Sequence, residues 1–77
     1  MTGLDKEYYR EKIYKGMNIS HDSGIVEAYG WIQAVVNTQN KTKHTDSEVM
    51  AQIRIIIKAY KEADKQYAKE IEEKLHV

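Results

Sequence analysis

Five basic residues, Arg54, Lys58, Lys61, Lys65 and Lys69, recur at steps of four, three, four and four. On a helix, side chains three and four apart share a face, so the five fall in a stripe roughly 80° wide. Positive charge so aligned suits phosphates or carboxylates. Four or five phosphate contacts would support marginal, salt-sensitive binding of nucleic acid. The same stripe against an acidic protein surface would mainly raise the association rate. The plainer alternative is a solvated helix face. Lys58–Glu62 and Lys69–Glu73 stand at i,i+4, with the acid on the less favourable C-terminal side, and Glu72 enters the stripe late.

Other chemistry-bearing residues are sparse. His21-Asp22, and His44 with Asp46, are the His/carboxylate clusters. A metal site needs three or four converging ligands, so neither cluster is read as a metal site. Ser20, Ser23 and Ser47 lack a neighbouring base and orienting group and read as helix caps rather than nucleophiles. Gly24 and Gly30 stand alone, without the pattern of a phosphate loop. Glu27 lies beside aromatic residues and would be perturbed if buried. No catalytic residues and no cofactor are expected, and the chain reads as a non-enzyme.

Six tyrosines replace phenylalanine altogether. Tyr, Trp and Arg dominate the energetics of protein interfaces. Tyr8, Tyr14 and Trp31 lie off the main apolar faces and are candidates for partner contact. If the ligand were nucleic acid, the same rings would stack on bases.

The elements that must position these residues read as three helices, making an all-α fold and one domain over 1–77. The first helix covers about 4–15. Thr2 with Asp5 resembles a capping pair, Tyr9, Ile13 and Met17 share a face, and Gly16 is placed as the stop. NISHDSG reads as a loop of about five residues. The second helix covers about 23–37, with Ile25, Ala28, Tyr29, Ile32, Val35 and Val36 on one face. Gly30 marks a close backbone approach or a tolerated cost of about 1 kcal/mol. TQNKTKH is a polar connector. Thr45-Asp-Ser-Glu48 is a capping box, and a long helix follows over 46–75. Its seam is Val49, Ile53, Ile56, Tyr60, Ala63 and Tyr67, widened by Met50 and Ile57. The expected architecture is a short helical hairpin packed on the long C-terminal helix. Where the long helix outruns its cover, Tyr60, Tyr67, Ile71 and Leu75 would form a homodimer contact.

Composition bounds the rest. Seventy-seven residues bury only about 60% of their unfolded surface, and with no cysteine there are no disulfides or thiolate metal sites. A formal net charge of zero argues against coating nucleic acid by bulk charge. Met1-TGLDKEYYRE offers no apolar signal core, and no apolar run is long enough for a bilayer, so a soluble cytoplasmic protein is expected, without membrane contact. Abundant Ile, Lys and Tyr without Pro or Phe hint at an AT-rich coding sequence, as in a low-GC bacterium or its phage.

The stretch HTDSEVMAQIRIIIKAYKEADKQYAKEIEEKL resembles the helical YqeY domain, which also forms the tail of the GatB subunit of tRNA-dependent amidotransferases. Thr45, Glu48, Val49, Ile53, Ile57, Lys58, Ala63, Ala68 and Glu72 fall at places compatible with that family's pattern. The resemblance covers the family's N-terminal helical subdomain. It departs at AYGWIQAVV, where the family has a basic, leucine-rich helix. It implies an RNA- or tRNA-facing appendage without catalytic residues. Size and the lack of an evident active site point instead to a small binding or regulatory protein. A phage-type inhibitor or modulator of a host enzyme or nucleoprotein fits, anti-CRISPR proteins being one kind.

Overall fold

The computed structural model describes residues 5–42 and 45–75, with the backbone alone for 39–42. Thr2, Leu4 and His44 lie outside the described residues. Helix α1 spans Lys6–Ile19, α2 His21–Thr42 and α3 Asp46–Leu75.

Each boundary has a local cause. Asp5 itself is the N-cap of α1, its carboxylate accepting the Tyr8 N–H at 2.9 Å. Gly16 does not end α1, contrary to the sequence reading; the helix continues until Ser20 turns extended. The expected five-residue loop is therefore a single residue. Ser20 closes one helix, its N–H donating to the Gly16 carbonyl at 3.2 Å. It also caps the next, its hydroxyl accepting the Ser23 N–H at 3.2 Å. Such a tight reversal brings the two backbones together. A Cβ on Gly16 would lie 3.1 Å from the Ser23 carbonyl oxygen, and one on Gly24 would lie 2.3 Å from Met17 Cγ. The close approach thus falls at Gly16 and Gly24, whereas Gly30 faces open space.

Helix α2 runs five residues past the expected end at Asn37. Nothing from Asn37 to Thr42 is glycine or proline. Thr38 donates its hydroxyl to the Ala34 carbonyl at 2.6 Å, bonding its own helix instead of opening a turn. The start of α3 is the capping box read from the sequence: the Glu48 N–H donates to Thr45 Oγ1 at 3.2 Å and the Thr45 N–H to Glu48 Oε1 at 3.3 Å.

The helices form an up-down-up bundle. Lys6–Glu62, Arg10–Gln66 and Tyr14–Glu70 all join residues 56 apart, so α1 runs parallel to α3. Met17 against Gly24 and Tyr9 against Trp31 set α2 antiparallel to α1. The hairpin therefore packs on the long helix, with extents of 52 × 16 × 14 Å. The radius of gyration is 14.1 Å, against about 11.5 Å for a sphere-like domain of this length. Among the described residues, no helix is long and apolar enough to cross a membrane.

The core lies where α1 meets both partners. Tyr9, Ile13 and Met17 pack against Ala28 and Val35 of α2 and Val49, Ile56, Ala59 and Ala63 of α3. Ala59 and Ala63 leave room for the larger α1 side chains. The seam of α3 is rotated from the expected one. Gln52 and Ala59 are buried at its centre, while Ile53, Tyr60 and Tyr67 are half-buried flanks. The rotated face is the one on which both α1 and α2 lie. Gln52 is tolerated because its amide donates to the buried Tyr9 hydroxyl at 2.6 Å.

Candidate interaction surface

Arg54, Lys58, Lys61, Lys65 and Lys69 are all exposed on the outer face of α3. Among the described residues, none of the five takes part in an ion pair. Glu62, expected to pair with Lys58, instead binds Lys6 of α1 at 2.9 Å, and that contact raises the Lys6 pKa. At the α1 edge of the stripe, Lys65 and Lys69 border an open cleft with Glu7, Arg10, Glu62 and Gln66. Arg10 is held there by Glu7 at 2.8 Å and by the Gln66 side-chain oxygen at 2.7 Å. Its guanidinium lowers the Glu7 pKa.

The aromatic candidates are drawn into the fold. Trp31 is half-buried and donates its indole N–H to Glu27 at 3.0 Å. Its ring meets Tyr9 and Tyr8 edge-on, with centroids 5.4 and 5.7 Å away, and so clasps α2 to α1. Tyr8 remains partly exposed beneath the Lys12 ammonium, 5.5 Å from its centroid. Tyr14 is half-buried and donates its hydroxyl to the Glu70 carboxylate. That bond lowers the Glu70 pKa and raises that of Tyr14. Tyr8 and Trp31 therefore sit at the α1–α2 contact, away from the stripe on α3.

Of the candidate dimer residues, Tyr60 is half-buried against α2, and burial raises its pKa. Tyr67 stacks on His21 with centroids 5.3 Å apart. Ile71 and Leu75 stay exposed at the end of α3. His21 pairs with Asp64 at 2.6 Å rather than with its neighbour Asp22. Among the described residues no group of three His, Cys, Asp or Glu is placed to hold a metal ion.

One feature was not singled out in the sequence. An apolar groove of about 320 Å³ runs between α2 and α3, lined chiefly by Ile25, Tyr29, Ile32, Ile56, Ile57 and Tyr60. The covered faces of α2 and α3 point to α1, and the groove lies on the other side of the pair. Its signal was the width of the two apolar faces, more than a single packed helix covers.

No protein-family model, curated protein or solved structure matches this chain.

Proposed function

We propose that this is a small non-enzymatic binding or regulatory protein that acts by covering an acidic surface of a protein partner. It would act as a phage-type inhibitor or modulator of a host enzyme or nucleoprotein, working in the cytoplasm. The observation that supports it is the stripe of five exposed cations on α3, whose expected acid Glu62 is turned away to Lys6. A helix face that is cationic from Arg54 to Lys69, before Glu72 enters it, steers an oppositely charged partner and fixes its register. Self-association through the end of α3 belongs to the same reading.

Affinity capture from a low-GC bacterial lysate, with and without nuclease, tests it. The expected result is one nuclease-resistant protein partner, with recovery reduced about tenfold or more by Lys58→Glu with Lys65→Glu. Capture that vanishes on nuclease treatment, with direct tRNA binding that falls steeply with salt, would replace this reading with the RNA-binding module implied by the YqeY and GatB resemblance.

A further inference from the structure

We infer that the groove between α2 and α3 receives an amphipathic helix with an acidic flank, supplied by a protein partner. This rests on the binding-protein reading above and assigns the place and chemistry of the contact.

The groove has the form of a helix seat. On α2, Ile25, Tyr29, Ile32 and Val36 recur at steps of four, three and four. On α3, Met50, Ile53, Ile57 and Tyr60 recur at steps of three, four and three. This is the spacing by which helices present a seam to another helix. Tyr29 is 61% exposed and Ile57 42%, so both lips are open to solvent. From Ile25 to Val36 the seat is about 16 Å long, three turns of an incoming helix. The His21–Asp64 pair lies one turn beyond Tyr60, where the apolar lining gives way to polar groups.

Charge chooses the occupant. Around α3, the positions next to Met50 and Ile57 are Arg54, Lys58 and Lys61, all exposed. The α3 lip is thus cationic. The α2 lip carries Gln33 and Val26, with Asp22 at one end. An incoming helix is neutralised best with carboxylates along its α3 side and neutral groups along its α2 side. The groove faces of a second copy of this chain lack that pattern. Its α3 would set cations against cations, and its α2 would set them mostly against neutral residues. Nucleic acid would use the cations and leave the apolar seat uncovered.

The full chain is titrated with two fluorescent synthetic helical peptides that share one leucine stripe and carry either glutamates or lysines on the flank. The glutamate peptide is expected to bind about tenfold tighter or more. Arg54→Glu with Lys61→Glu should abolish or invert that preference. Ile57→Glu, and separately Tyr29→Glu on the other lip, should weaken both peptides about tenfold while the helical circular dichroism is kept. Equal affinity for the two peptides, or binding indifferent to both groove variants, overturns the inference. So does a halving of the mass in solution by Ile57→Glu, which would place a second copy in the groove. In the lysate capture, a partner retained by both groove variants but lost with Lys58→Glu/Lys65→Glu leaves the proposed function standing and the groove unused. Peptide binding without any captured partner shows the reverse.

Discussion

Gly24 and Gly30 occupy one helix six residues apart and answer to opposite constraints. At Gly24 the neighbouring Met17 is fully buried, so an added methyl group has nowhere to push it. Gly24→Ala should therefore cost about 1–3 kcal/mol through overpacking. At Gly30 nothing lies within 4 Å. Gly30→Ala should stabilise the protein by about 1 kcal/mol, since alanine loses less backbone entropy in a helix. Urea denaturation of the two variants checks both signs. A stabilised Gly24→Ala would mean that the α1–α2 crossing is looser than described. For Gly30 the sequence left close approach and a tolerated cost both open, and the open space there leaves the tolerated cost; spacing cannot say which side of α2 meets α1. Gln52 was hidden for a related reason. Hydrophobic patterning ranks apolar side chains, and a polar residue satisfied by a distant Tyr9 hydroxyl carries no local mark.

At the scale of the element, local chemistry explains what was legible. The capping box at Thr45 and Glu48 announced α3. The three-helix class followed from periodicity alone. The hairpin link was not legible, because Ser20 serves two helices at once and the polar run around it looks like a loop. The rotation of the α3 seam depended on where α1 would lie, which is tertiary information. The surface was legible in part: the cations of α3 are exposed as a stripe, but the groove beside them exists only once two helices are paired. The α1–α3 register brings its own pH dependence. Tyr14 holds Glu70 below its ordinary pKa, with help from Gln66. A carboxylate lowered in the folded state stabilises the fold above its unfolded value of about 4.3, and that contribution is lost as pH falls through the folded value. Tyr14→Phe removes the largest cause. The variant should melt below the wild type at neutral pH, and the gap should narrow below about pH 4. Thermal melts across that range measure it. The Glu7–Arg10 pair acts in the same acid window in both proteins and cancels in the comparison. A gap that stays constant with pH would assign the Tyr14 effect to packing alone.

At the scale of the whole molecule, the rod ends unevenly. His21 at the start of α2 pairs with Asp64 and stacks on Tyr67, so the α1–α2 link lies near those residues and the end of α3 runs on past it. Ile19 is 84% exposed and Leu75 79%, with Ile71 one turn back. Three large apolar side chains thus sit toward one end of a chain that carries no net charge to keep copies apart. The half-buried Tyr60 and Tyr67 are committed partly to α2, so self-association must draw mainly on this end. Light scattering over a range of concentrations should approach twice the 9.0 kDa chain mass. Ile71→Glu with Leu75→Glu should return the monomer without loss of helicity, because neither side chain belongs to the core. Small-angle scattering should give the dimer a radius of gyration well above the 14.1 Å of the single rod, as end-to-end contact lengthens it. A wild-type mass that stays at one chain at every concentration removes self-association from the proposed function. It leaves the stripe and the groove to be judged on their own partners, since neither depends on a second copy.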